Sequence, residues 1–249
     1  MNPSQDIERV AIEAQARFWN TWNATFRERN RKLPEVNRRQ AETVHRWLGN
    51  LGRADLDVIE IGCGSGWLCE QLLTYGRVTG TDLSDEVLAR SEAFMRNVRF
   101  IPGDFFKLPF QPASFDVAVS LEVLAHVADQ RQFLSRIAGL LRPGGYLMLA
   151  TQNRFVLERW TQVTPRDPGQ IRQWVNARAL RRLLEEHFQV CELVSIVPVG
   201  DRGILRWTNA PKVSRLLSTV MSSAQIEALK ERAFLGHTLM ALARKRGGD

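Results

Sequence analysis

The stretch Val58 to Ser84, VIEIGCGSGWLCEQLLTYGRVTGTDLS, reads in order as a strand, a glycine turn, a helix, a second strand and an acidic residue. Val58, Ile59 and Ile61 make a short β-branched apolar run suited to a buried parallel strand, and Gly62, Gly64 and Gly66 follow at alternate positions. Glycines placed there let backbone amides come close to a ligand at the start of a helix. A helix is expected from about Trp67 to Tyr75 and a second strand over Val78 to Thr81. Asp82 closes that strand, where a carboxylate can accept both hydroxyls of a ribose. The stretch is thus one βαβ unit with a nucleoside site at its strand ends. The spacing departs from the G-x-G-x-x-G of dinucleotide binders: the third glycine comes one residue early, and Trp67 stands where close helix packing wants a small residue. A nicotinamide cofactor is therefore the weaker reading.

Working outward, the 249 residues suffice for one sizeable α/β core with an appended cap, and the 44% hydrophobic and 24% charged composition is that of an ordinary globular chain. The expected division is an N-terminal helical cap over residues 1–54 and a main domain over residues 55–249, with residues 200–236 a helical insertion before the last strand. No apolar run approaches a membrane span, and the N-terminus carries no cleavable signal, so the expected location is the cytoplasm without integral membrane association. Cys63, Cys69 and Cys191 are an odd set without C-x-x-C spacing, which predicts reduced thiols and no metal site. The net charge of +7 comes mostly from arginines clustered in residues 27–53 and 154–182. Interspersed glutamates and the lack of an RNA-binding motif favour solvated helix faces over a nucleic-acid partner. The same charge leaves peripheral contact with an anionic membrane surface open, and permits an acidic or phosphate-bearing ligand. Oligomeric state is not legible.

Along the chain, Ile7, Val10, Ala11, Ala14, Phe18, Trp22 and Phe26 recur at helical spacing, and a second helix follows at about Val36 to Leu51. The cluster FWNTWN, Phe18 to Asn23, either staples this helix to the core or lids a site, since aromatic faces attract cations. A helix over Ser84 to Met95 with Ser84 as N-cap leads to a third strand, Val98 to Ile101, and then to GDFFKLPF with Asp104 at a strand end. The fourth strand is expected in FDVAVSLEVLAHV, its apolar run ending at Ser120, Leu121 and Glu122. Phe133 to Leu141 then reads as an amphipathic helix stopped by Pro143, Gly144 and Gly145, before a fifth strand over Tyr146 to Thr151. Beyond Asn153 the pattern weakens until a helix at Arg178 to His187. Strands at Val190 to Val199 and His237 to Arg244 would pair antiparallel. The residues between them, with helical patterns near Lys212 to Met221 and Ser223 to Phe234, are too many for a hairpin loop.

The E-x-G-x-G-x-G of Glu60 to Gly66, Asp82 after the next strand, Asp104 after the third and LRPGGYL before the fifth resemble, in that order, the motifs of class I S-adenosylmethionine-dependent methyltransferases. EVLAHV, the run FLSRIAGLLRPGGYLMLAT and the following QNR are similar to the O-methyltransferases of ubiquinone biosynthesis and their small-molecule relatives. That family would have EVLEHV; Ala125 stands here for the second glutamate, so quinone specificity does not carry over. The resemblance implies a Rossmann-like, doubly wound, seven-stranded, mostly parallel sheet with an antiparallel last strand. It implies S-adenosyl-L-methionine as cofactor, with Glu60, Gly62, Cys63, Gly64 and Gly66 around its methionine portion. Asp82 and Leu83 would lie at ribose and adenine, Asp104 and Phe105 at adenine, and Leu121 would close the pocket through its backbone.

A sulfonium methyl is already activated, so transfer needs alignment, a dry site and a nucleophile, with an acid or base optional. If a phenol or hydroxyl is the acceptor, His126 is the candidate to take its proton, against the alternative of a histidine held structurally by the backbone. Glu122 could orient the acceptor or cap the next helix. Trp19, Trp22 and Arg154 are the candidates for contact with a small-molecule acceptor. O-methylation is favoured over N- or C-methylation, and the reading from another class is a silent nucleoside-binding partner protein.

Overall fold

The computed structural model describes residues 12–29, 33–198 and 222–247. Ile7, Val10 and Ala11 of the first helical pattern, and the pattern near Lys212 to Met221, lie outside the described residues. Seven strands form one sheet: β1 (Leu56–Ile61), β2 (Gly76–Asp82), β3 (Val98–Pro102), β4 (Phe115–Leu121), β5 (Leu141–Gln152), β6 (Phe188–Ile196) and β7 (Thr238–Lys245). Their order is β3-β2-β1-β4-β5-β7-β6. β1 to β5 pair in parallel, and β7 enters antiparallel to both β5 and β6. The order reverses between β1 and β4, and such a switch leaves a crevice beyond the strand ends.

Strand alternation divides the core in two, because successive side chains point to opposite faces. Ile59, Ala118, Leu147, Leu149, Leu239 and Ala241 pack on one face against Phe133, Leu134 and Ile137 of α5 (Gln130–Leu140) and Leu180 and Leu184 of α7 (Ala177–Glu185). Val58, Val117, Val119, Met148, Ala150 and Met240 pack on the other, against Val44, Trp47 and Leu48 of α2 (Glu35–Leu51), Leu72 of α3 (Cys69–Leu72) and Leu88 of α4 (Asp85–Glu92). The helix α2 therefore shares its core with the sheet. At the side away from the crevice, Arg142 binds Asp57 and Asp116 at 2.8 and 2.6 Å, tying β5 to β1 and β4.

Several expected elements are redrawn by local backbone chemistry. The helix expected from Trp67 shrinks to α3 and a 3₁₀ turn, Leu73–Tyr75, because Gly62, Gly64 and Gly66 all take positive φ and hold the chain in turns until Cys69. Pro143, Gly144 and Gly145 do not separate helix from strand: β5 begins at Leu141 and runs through them, with Gly144 at φ 75° and a register shift opposite Phe115 and Val117 that marks a bulge. β4 ends at Leu121 rather than reaching toward Val127, Glu122 turns to φ 61°, and Leu124–His126 is a 3₁₀ turn. Ser84 precedes α4 without a capping bond from its side chain; its hydroxyl instead accepts from Asn23 of α1 (Ile12–Arg29) at 2.7 Å. The remaining helices are α6 (Arg154–Trp160) and α8 (Ser223–Arg232), the latter closed by a capping box between Ser222 and Gln225. Among the described residues no helix is long and apolar enough to cross a membrane.

Candidate functional site

The crevice beyond β1, β2 and β4 opens into a cavity of about 900 Å³, at the upper end of the range for small-molecule sites. Its first wall is the glycine turn. Gly62 and Cys63 donate their backbone N–H groups to Thr81 at 2.7 and 3.1 Å, which pins the turn to the end of β2. A side chain at Gly62 would put Cβ 2.1 Å from Val123, so the turn must pass there as bare backbone. Gly62, Cys63 and Gly64 line the cavity; Gly66 does not, and lies instead against Phe100 and Met95.

Asp82 sits between the two turns. One carboxylate oxygen accepts from the Gly64 N–H and the other from the Ser84 N–H, both at 2.8 Å. Each oxygen retains a lone pair for a further donor. Asp104 accepts from the Phe106 N–H at 3.1 Å, and Phe105 is wedged against Phe133 with the Arg136 guanidinium 5.3 Å from its ring centre. Leu83 and Leu121 complete this half of the lining.

Glu60 is buried beneath the turn and takes a hydrogen bond from the Cys69 thiol at 2.9 Å. Burial pushes its pKa up to about 8; the thiol bond opposes this and the charge of Asp82 adds to it. At neutral pH it is a carboxylic acid, able to donate. Burial likewise pushes the Cys63 thiol up to about 11, and Cys69 is also raised, first by its neighbour Cys63, so neither is a reactive thiolate.

The opposite wall comes from α1 and the segment after β4. Trp19 meets the His126 ring edge-on at 4.8 Å, and Trp22 lies 5.8 Å from Trp19 at the rim. Nδ1 of His126 lies 2.7 Å from the Ile171 carbonyl, which can only accept, so Nδ1 carries the proton and Nε2 holds a lone pair. Desolvation lowers the His126 pKa, against the Ile171 bond and together with Arg172, so the ring is neutral at pH 7. Glu122 occupies a left-handed conformation unusual for a non-glycine residue, as strained functional positions often do. Its Oε1 accepts from Gln40 at 2.6 Å and Thr238 at 3.0 Å, and burial raises its pKa to about 7.

Arg154 is exposed at the start of α6 and does not line the cavity; the arginine that does is Arg172, stacked 5.1 Å over Trp174. Sequence reasoning missed Arg172, Gln40, Gln152 and Asn23 as site residues. Gln40 had a readable signal, an amide four residues from both Val36 and Val44 on the apolar stripe of α2, which the structure buries fully. Arg172 had none, since it lies in a stretch without periodicity. Among the described residues no group of three or more His, Cys, Asp or Glu side chains is arranged to hold a metal ion.

These residues fit S-adenosylmethionine. Asp82 and Asp104 keep acceptor capacity for a ribose and an exocyclic amine, and Glu60 and the glycine turn surround the space beside them. Gly64, at φ 54° and with Asn23 Oδ1 3.2 Å from where a Cβ would stand, leaves a cradle that a side chain would fill.

Residues 59–149 match the family model described as a methyltransferase domain. The chain is 36% identical over 133 residues, 53% of its own length and 51% of the relative's, to a protein of Mycolicibacterium smegmatis named "Probable S-adenosylmethionine-dependent methyltransferase". It is 33% identical over 159 residues to the ubiquinone biosynthesis O-methyltransferase of a Chelativorans species, covering 60% of this chain and 62% of that one. The chain thus spans about half to three-fifths of the length of these curated relatives. Among solved structures, a chain from the complex of the Haloferax volcanii Trm112 methyltransferase activator with a methyltransferase superposes with a TM-score of 0.62 at 22% identity, covering 92% of this chain and 97% of that one. The N-methyltransferase NodS of Bradyrhizobium japonicum, in complex with S-adenosyl-L-homocysteine, does so with 0.57 at 19% identity, covering 85% and 88%. At such identities the structures speak to the fold alone, and the sequence relatives, the motif order and the site agree with it. Residues 59–149 are a methyltransferase domain, similar in sequence to the S-adenosylmethionine-dependent methyltransferases named above.

Proposed function

We propose that this protein transfers the methyl group of S-adenosylmethionine to a hydroxyl oxygen of a small-molecule acceptor. The observation that carries the reading is His126, which lines the same cavity as the glycine turn, Asp82 and Glu60 and whose Nδ1 is held by the Ile171 carbonyl, leaving the lone pair on Nε2. When bound, the cofactor supplies a methyl carbon already activated by its sulfonium. Asp82, Asp104, Phe105 and the glycine turn fix the nucleoside end, and Trp19, Trp22 and Trp174 exclude water around the acceptor. With the cofactor bound there, its methyl would pass to the acceptor oxygen while the carbon–sulfur electron pair leaves with S-adenosylhomocysteine, and His126 Nε2 would take the oxygen's proton with Nδ1–H still anchored on Ile171. The Ile171 carbonyl stabilises the imidazolium that results. General-base help of this kind contributes on the order of 10²- to 10⁴-fold, and alignment the rest.

The test is calorimetry with S-adenosylhomocysteine, followed by transfer of a labelled methyl group to a panel of phenols, alcohols and amines. The expected result is micromolar binding and turnover confined to hydroxyl acceptors. Absence of binding removes the cofactor assignment, and turnover of amines alone removes the oxygen nucleophile.

A further inference from the structure

Resting on that reading, a second polar centre in the cavity narrows the acceptor's chemistry. Three polar residues line the cavity from separate parts of the fold, each with a buried side-chain oxygen: Gln40 on α2, Glu122 after β4 and Gln152 at the end of β5. They form one group. The Gln40 amide donates to Glu122 Oε1 at 2.6 Å, and Thr238 donates to the same oxygen at 3.0 Å. Thr238 stands directly opposite Gln152 in the β5–β7 ladder, so the two side chains share a face of the sheet. Within this group Gln40 Oε1, Glu122 Oε2 and Gln152 Oε1 have no hydrogen-bond partner among the described residues. Gln40 is fully buried.

All three are acceptors, so the group they await must be a donor of several hydrogen bonds. Buried polar groups left unmatched cost free energy, and a buried carboxylate is most favourably matched by a cation. The rest of the lining has the same bias. Apart from the neutral Glu60 and the nucleoside-side Asp82 and Asp104, its described carboxyl residues are Glu122 and Asp129, against the one cation Arg172. That guanidinium is turned to the Thr164 carbonyl at 2.7 Å and Gln170 at 2.8 Å. The arginine-rich sequence had permitted an acidic or phosphate-bearing acceptor; this lining is instead acidic, and such a ligand would meet Glu122 with like charge. Trp19 and Trp22 add aromatic surface that suits a cation.

We propose that the acceptor is an amine-bearing phenol or alcohol, its protonated amine docked on Gln40 Oε1, Glu122 Oε2 and Gln152 Oε1 while its hydroxyl faces His126. Gln40 and Gln152 contribute direction, and Glu122 contributes the charge.

The test uses the full-length protein saturated with S-adenosylhomocysteine and three probes of matched shape: tyramine, 4-ethylphenol and 3-(4-hydroxyphenyl)propionate. Tyramine is expected to bind at least tenfold more tightly than 4-ethylphenol and the propionate most weakly, with Glu122→Gln erasing the tyramine advantage while S-adenosylhomocysteine affinity stays within threefold. Gln152→Met, which leaves the carboxylate in place, is expected to weaken tyramine three- to tenfold, and keeps the test valid should Glu122→Gln not fold. Equal or tighter binding of the neutral or anionic probe, or no tyramine binding up to 10 mM, overturns the proposal. Loss of S-adenosylhomocysteine affinity in Glu122→Gln also overturns it, by assigning Glu122 to the cofactor. Failure of the unmodified protein to bind S-adenosylhomocysteine at all would instead overturn the cofactor reading beneath it.

Discussion

The two halves of the cavity are built in different ways. The half proposed for the cofactor comes from short, contiguous pieces at the ends of three neighbouring parallel strands: the glycine turn after β1, Asp82 after β2 and Asp104 after β3. Its polar atoms are already held by backbone amides, as with Asp82 between Gly64 and Ser84. The half proposed for the acceptor collects single side chains from places far apart in the chain: Trp19, Gln40, Glu122, His126, Gln152 and Arg172. Here the polar atoms hold one another, and three of them have no partner among the described residues. Backbone-held groups fix one ligand geometry, whereas side chains drawn from different elements can be exchanged singly. The first half is thus suited to a constant cofactor and the second to a variable acceptor.

This contrast can be broken at three points. The largest effect is expected for Asp82→Ala, which strips two backbone N–H groups of their acceptor along with the proposed ribose contact. S-adenosylhomocysteine binding should become undetectable by calorimetry, and binding that persists within tenfold of the parent would show that Asp82 is a structural clasp only. His126→Ala should act on the other half alone, lowering kcat by about 10²- to 10⁴-fold with S-adenosylhomocysteine affinity within threefold. A loss in both quantities would mean that the halves are not separable at Trp19 and His126.

The smallest effect is a pH dependence of stability. Glu60 has a folded pKa raised to about 8 from 4.5. Its contribution is fully present below pH 4.5 and is lost as pH rises through 8, because the unfolded chain releases that proton first. Between these limits the loss amounts to at most about 1.4 kcal/mol per pH unit. Glu122, raised to about 7, adds a second loss of the same sign. Melting curves of Glu60→Gln between pH 5 and 8 should be flatter than those of the parent; an unchanged slope would show that Glu60 is ionised in the fold.

The chain alone determined what depends on neighbours in sequence. Short runs of β-branched apolar residues set the buried strands, and alternate glycines set a turn that only they can make without a clash against Val123 or Phe100. The strand-end aspartates followed from the parallel architecture, since every such strand points its C-terminal end at the same edge. Boundaries were less legible where a bulge or a positive φ competes with propensity, as at Gly144 and Glu122. Only the tertiary structure decided the acceptor half. A glutamine on a helix, a glutamate past a strand and a glutamine ending another strand carry no shared pattern, because their meeting depends on which face each element buries and on β7 inserting between β5 and β6. That choice is made by the packing of the whole sheet, a sum over many weak apolar contacts that no local run of residues encodes.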